Sequence, residues 1–216
     1  MKITRRIVWT ITGIAILGFV SLLGATVIEH LGFPGREAAV APAVDIRAEF
    51  SLTDHTGQAV TETDYAGRPL IVFFGFTACP DVCPTALSAV SRILDELGPE
   101  GEDLQPLFIT VDPERDTVNQ MASYVTLFHP RIVGLTGTPE QVAGAARNFG
   151  AYFRRVPLEG GGYTMDHTAS GYLMDGEGRF RGTVDIHENP DIALEKVKLF
   201  LKGELRGPAN FRGIGS

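Results

Sequence analysis

LIVFFGFTACPDVCP, Leu70 to Pro84, is the stretch from which the fold can be read. Its first half, Leu70 to Phe76, is a continuous apolar run of strand length, the pattern of a central strand covered on both faces. Its second half holds Cys79 and Cys83, the only two cysteines among 216 residues. Pro84 suits the first turn of a helix. Leu87, Val90, Leu94 and Leu97 follow at helical spacing, and Gly98-Pro99 ends the element. The stretch reads as strand, thiol-bearing turn and helix.

The same alternation extends outward. Residues 48–52 read as a short strand, and Asp54 to Gly57 as a turn into a second short strand near 58–62. Leu107 to Val111 is another buried strand. Asp116 or Thr117 caps a helix running to about Phe128, and Arg131 to Leu135 is a strand. Thr138-Pro139-Glu140 opens a helix to about Phe149. Ser170 to Asp175 and Phe180 to Val184 flank Gly176-Glu177-Gly178 as a hairpin, and Asn189-Pro190 starts a last amphipathic helix. Glu159 to Gly162 reads as a glycine-rich loop able to swing the residues that follow it. Alternating strands and helices predict an α/β domain with a mostly parallel central sheet. The closing hairpin, with a cysteine pair at the end of the first central strand, predicts a thioredoxin-like fold.

The cysteine pair has two chemical readings. In a helix, residues four apart have Cα atoms roughly 6 Å apart, a separation a disulfide tolerates. A structural bridge over three intervening residues constrains little, because the stabilisation grows with loop length. A redox couple is one reading and half of a soft-metal site is the other. The helix N-terminus stabilises thiolates, the form both readings need. A soft thiolate pair suits Cu(I) or zinc, with a further ligand to decide between them. Five histidines are candidates. His30 lies beside an apolar segment, and His55, His129 and His187 lie in turns and loops where solvated histidines are ordinary. His167, in YTMDHTASGYLMD, lies just before the hairpin strand, where a thioredoxin-like fold brings the chain close to the cysteine helix. Asp166 is placed to orient its ring.

Residues 7–28 carry no charge over 22 positions, long enough to cross a bilayer. Lys2, Arg5 and Arg6 precede the run and no basic residue follows until Arg36, so residues 1–6 are expected in the cytoplasm and the remainder on the exported side. The run exceeds the hydrophobic region of an ordinary signal peptide, and Gly24-Ala25-Thr26 is a poor cleavage site. Residues 29–44 read as a linker rich in glycine, proline and alanine. Without Lys2, Arg5 and Arg6 the 19 basic residues fall to 16 against 26 acidic ones, a net charge of −10. That balance argues against nucleic acid as a partner.

Four segments together carry a resemblance: FFGFTACPDVCP, FITVDPERDT from Phe108, FHPRIVGLTGT from Phe128 and YTMDHTASGYLMDGEGRF from Tyr163. In this order they resemble the Sco/SenC family over roughly residues 45–203, leaving 204–216 as a tail. The resemblance implies a thioredoxin-like fold and one copper ion, Cu(I) or Cu(II), held by Cys79, Cys83 and His167. It implies a metallochaperone rather than an enzyme, with thiol-disulfide reductase activity left open. The implied partner is cytochrome c oxidase subunit II, whose binuclear CuA centre the family helps assemble. Other copper carriers and thioredoxin-like reductants are further implied partners. The implied location is the inner (cytoplasmic) membrane, single-pass, with the C-terminal domain in the periplasm or an equivalent compartment. Asp112, Arg115 and Asp116 match the family's DPERD segment and read as structural or as a partner surface. Asp81 reads as solvated or as tuning the site.

Two other classes draw on the same residues: a metal-independent thiol enzyme, either oxidoreductase or peroxidase, and a redox or copper sensor. A metal-independent thiol-disulfide oxidoreductase has two residues between its thiols, where this chain has three, and a proline before a late strand, where this chain has none between Pro157 and Pro190. A redox or copper sensor uses the same site without delivering metal. A peroxidase needs an arginine beside its thiolate, and Arg115 is the candidate.

Overall fold

Strand β3, Leu70–Gly75, is buried at all six positions. Strand β4, Gln105–Thr110, is buried likewise and runs parallel to it, from Leu70 opposite Gln105 to Gly75 opposite Thr110. Two adjacent strands with no polar face form the middle of a covered sheet, as the apolar runs predict. The computed structural model describes residues 46–185 and 188–205. The apolar run 7–28, the linker 29–44, His30, His187 and the tail beyond 205 lie outside the described residues. Among the described residues, no helix is long and apolar enough to cross a membrane.

The main sheet has seven strands in the order β2-β1-β5-β4-β3-β8-β9. Strands β1 (Ser51–Asp54) and β2 (Ala59–Thr61) form the first hairpin, and β5 is Val133–Thr136. Strands β8 (Ser170–Met174) and β9 (Phe180–Asp185) form the closing hairpin. Only the β3–β4 and β4–β5 pairings are parallel; β1–β2, β1–β5, β3–β8 and β8–β9 are antiparallel. The expectation of a mostly parallel sheet is corrected. Helix-linked strands give the parallel centre, and the two hairpins add antiparallel strands on both sides.

Helix α1, Val82–Leu97, turns Cys83, Ala86, Leu87, Val90, Ile93, Leu94 and Leu97 into the core. Gly98 ends it at φ 50°, a left-handed conformation that favours glycine. Helix α2, Val118–Val125, is capped by Thr117, whose side chain accepts the Gln120 N–H. Asp116, the other candidate cap, is instead drawn into the core. Helix α3, Pro139–Asn148, opens with a capping box between Thr138 and Gln141. Helix α4, Pro190–Leu201, is capped by Asn189. Leu205 still packs on the core, four residues past the end of α4.

A second, two-stranded sheet pairs β6 (Phe153–Pro157) with β7 (Tyr163–His167). Sequence periodicity gives no sign of it. Among these residues only Met165 is buried, so neither strand shows the apolar alternation that marks a half-covered sheet. Glu159 to Gly162 lies in the turn of this hairpin.

Candidate metal centre

The end of β3 delivers the cysteines. A turn closed by the Cys79 N–H on the Phe76 carbonyl at 3.2 Å carries the chain from Phe76 to Cys79. Cys83 is the second residue of α1 and is fully buried, whereas Cys79 is partly exposed. The Cys83 N–H, one of the free donors at the helix start, points to Cys79 Sγ at 3.4 Å. Both cysteines are free thiols.

His167 ends β7 and is held over the pair. Its Nε2 lies 3.6 Å from Cys83 Sγ. One ligand atom from each of Cys79, Cys83 and His167 falls within 4.8 Å of the others. His167 Nδ1 is 2.9 Å from the Thr168 carbonyl oxygen. A carbonyl only accepts, so Nδ1 donates to it, which leaves Nε2 as the ring nitrogen that faces the sulfurs. The buried Phe76 ring packs edge-on against the imidazole, centroids 5.7 Å apart.

Two expectations about this histidine are corrected. Asp166 does not orient the ring, because alternation along β7 turns it to the opposite side, where it is exposed and pairs with Arg154 at 3.5 Å. The Thr168 carbonyl does that work. The glycine turn is no hinge for His167 either. It lies beyond the Pro157–Tyr163 pair, while His167 pairs with Phe153 at the other end of the hairpin.

The DPERD segment braces both halves of the site. Asp116 accepts from the Thr77 N–H at 3.0 Å, the Thr77 hydroxyl at 2.6 Å and the Thr110 hydroxyl at 2.6 Å. Its own carbonyl accepts from the Thr136 hydroxyl at 2.7 Å. The buried carboxylate thus ties the ends of β3 and β4 together beneath the cysteine turn, and the backbone carbonyl of the same residue adds β5. Burial raises its pKa, opposed by the hydrogen bonds from Thr110 and Thr77. Asp112 is buried, pairs with Arg115 and accepts the Tyr163 hydroxyl at 2.8 Å. The Arg115 guanidinium lies 4.0 Å over the Tyr163 ring, donates to the Tyr163 carbonyl at 3.1 Å and lies 5.8 Å from the Phe76 ring centroid. Arg115 therefore anchors the start of the strand that ends in His167.

Cys83 sits in a tight seat. A β-carbon on Gly75 would stand 2.7 Å from Cys83 Sγ and 2.7 Å from Phe108 Cε2. Burial pushes the Cys83 thiol well above its ordinary range, opposed by a hydrogen bond from the Phe76 backbone. The helix N-terminus was expected to favour thiolate here; without metal, desolvation outweighs it at Cys83. Asp81 is exposed and accepts the Thr85 hydroxyl at 3.5 Å, in keeping with solvation. His55 and His129 are not in the cluster. His55 Nδ1 accepts the Gly134 N–H at 3.1 Å and His129 Nδ1 the Arg131 N–H at 3.2 Å, so each braces a loop.

Sequence reasoning missed Gly75, Phe76, Tyr163 and Thr168. Gly75 was the one legible signal, a residue without a side chain inside an otherwise bulky apolar run.

Fold and site together define a class: a mixed α/β, thioredoxin-like domain whose two thiols and one imidazole form the donor set of a soft-metal centre. The family model described as SCO1/SenC matches residues 38–202, and the chain belongs to that family. Protein SCO2 homolog, mitochondrial, of Danio rerio is 43% identical over 164 residues, covering 74% of this chain and 58% of that protein. Protein SCO1 homolog, mitochondrial, of Homo sapiens is 47% identical over 134 residues, covering 61% of this chain and 44% of that protein. The chain thus spans about half the length of these two relatives. Bradyrhizobium japonicum ScoI, solved with copper bound, matches with a TM-score of 0.66 at 42% identity, covering 72% of this chain and 99% of that one. Yeast Sco1, solved with copper bound, matches with a TM-score of 0.70 at 35% identity, covering 80% and 96%.

Proposed function

We propose that this chain is a membrane-anchored copper chaperone for the CuA centre of cytochrome c oxidase subunit II. It carries one copper ion on Cys79, Cys83 and His167. The observation behind this reading is the convergence within 4.8 Å of two sulfurs and an imidazole whose Nδ1 is anchored on a carbonyl. Two thiolates and one imidazole fit Cu(I), and the relatives solved with copper bound support that metal. In the same reading residues 7–28 anchor the chain, 1–6 stay in the cytoplasm, 29–44 link, and 45–203 form the exported domain.

The site is graded for transfer. Cys83 is fully buried, while Cys79 and His167 are partly exposed. An acceptor's thiolates reach the ion from the side of Cys79 and His167, and Cys83 is the ligand exchanged last. Oxidation of the two thiols to a disulfide removes both sulfur ligands, so redox state and metal load are coupled. The test mixes the copper-loaded chain with copper-free CuA domain. The CuA absorption grows as the chain loses its ion. If no copper moves, but a disulfide in the CuA domain is reduced, the chain is a thiol-disulfide reductase instead.

Uptake releases protons. Because burial raises the Cys83 thiol pKa, a proton occupies that sulfur at neutral pH and the ion must displace it. Below the raised pKa the proton competes with the metal, so apparent affinity rises with pH, by about tenfold per unit for each proton displaced. Calorimetry in buffers of different ionisation enthalpy is expected to show at least one proton released per ion. Release of none would mean that Cys83 does not bind as thiolate.

A further inference from the structure

The β6–β7 ladder closes at the Phe153–His167 pair, and Tyr152 and Thr168 face each other just beyond it. The Thr168 N–H donates to the Tyr152 carbonyl at 3.0 Å. In a regular antiparallel ladder such a pair exchanges two bonds, and the Tyr152 N–H would donate to the Thr168 carbonyl. Here it donates to the Thr168 hydroxyl oxygen, Oγ1, at 3.0 Å. The Thr168 carbonyl instead accepts from His167 Nδ1 at 2.9 Å. A side-chain oxygen stands in for a backbone oxygen in the ladder, and the carbonyl it frees turns to the imidazole.

The substitution matters because the ring has two nearly equivalent settings. A half-turn about the Cβ–Cγ bond of a histidine exchanges Nδ1 with Cδ2 and Nε2 with Cε1, and that torsion is broad and roughly two-fold. Edge-on packing against Phe76, centroids 5.7 Å apart, tolerates either setting. The bond from Nδ1 to the Thr168 carbonyl exists in one setting only. That setting puts Nε2 3.6 Å from Cys83 Sγ. The other would aim a carbon at the sulfurs. We propose that Thr168 is a positioning residue for His167: its hydroxyl fills the ladder, so that its carbonyl is free to hold the imidazole with Nε2 toward Cys83. The consequence for metal binding rests on the copper reading given above.

The test compares Thr168→Val with Thr168→Ser in the full chain. Valine keeps the β-branch and removes the oxygen; serine keeps the oxygen and removes the methyl. Without Oγ1 the Tyr152 N–H turns to the carbonyl of residue 168 and competes with the imidazole for it. Nitrogen magnetic resonance of the metal-free protein is expected to show a protected His167 Nδ1–H in the parent and in Thr168→Ser, and a rapidly exchanging one in Thr168→Val. Copper affinity should fall about tenfold in Thr168→Val, the scale of outer-shell losses. Nitrogen coupling in its Cu(II) paramagnetic resonance spectrum should weaken, and Thr168→Ser should restore both. Parent-like copper affinity and spectrum in Thr168→Val overturn the proposal whatever its thermal midpoint does, because the threonine then only closes the ribbon. An unchanged Nδ1–H signal in Thr168→Val overturns it too, as does a Thr168→Ser variant that behaves like Thr168→Val. A parent that binds no copper, yet loses Nδ1–H protection in Thr168→Val alone, upholds the positioning and removes the copper reading.

Discussion

His167→Ala lowers copper affinity by more than about a hundredfold while leaving the domain folded. Loss of an outer-shell partner typically costs about 10–100-fold, and His167 is proposed as a ligand itself. The imidazole is partly exposed, and its own hydrogen bond is to an adjacent carbonyl that water can satisfy. Its removal opens no large core cavity, so stability should change by about 1 kcal/mol or less. Two sulfurs remain and still attract Cu(I), but Cu(II) loses its only nitrogen donor in the cluster. The Cu(II) spectrum should therefore change more than Cu(I) binding does. Competition titration and paramagnetic resonance read both effects. Parent-like affinity with a parent-like spectrum would remove His167 from the site.

Gly75→Ala is expected to damage the site from inside the sheet. Its β-carbon would overlap Cys83 Sγ and Phe108 Cε2, both 2.7 Å away. Cys83 and Phe108 are each 0% exposed, so neither can move into solvent. Overpacking of this kind costs about 1–3 kcal/mol, and each kcal/mol lowers Tm by roughly 2–4 °C in a domain of this size. Relief by moving the sulfur changes its distance to His167 Nε2, so copper affinity should fall about tenfold or more, a ligand-positioning loss of outer-shell size. Gly160→Ala is the control, because an added β-carbon there meets nothing within 4 Å. Equal Tm and equal affinity in both variants would contradict the close seat of Cys83 against β3.

The parts of this molecule that could be read from sequence are those where one physical signal dominates. Leu70 to Gly75 is apolar throughout because both faces are covered, and α1 shows its buried stripe at helical spacing. Thr138-Pro139-Glu140 marks a helix start through local signals alone, and the structure adds the Thr138–Gln141 capping box. The cysteine pair was legible from spacing, and its histidine from fold order together with the family resemblance. Strands β6 and β7 were not, since a ribbon with little buried surface leaves no periodic mark. For the same reason His167 read as a loop residue beside a glycine hinge, whereas it ends a paired strand. Asp166 misled because adjacency in sequence is opposition across a strand. The DPERD segment also shows the limit. Nothing local distinguishes Asp116, fully buried under three donors, from a helix cap.

The most direct test of the central claim is titration of the reduced, metal-free full chain in detergent with Cu(I) and with Cu(II), followed by absorption and paramagnetic resonance. Binding of one equivalent, with a thiolate-to-Cu(II) charge-transfer band that changes in His167→Ala, is the predicted result. No stable copper binding by the reduced chain would contradict the account and leave the two thiols of Cys79 and Cys83 as a redox couple.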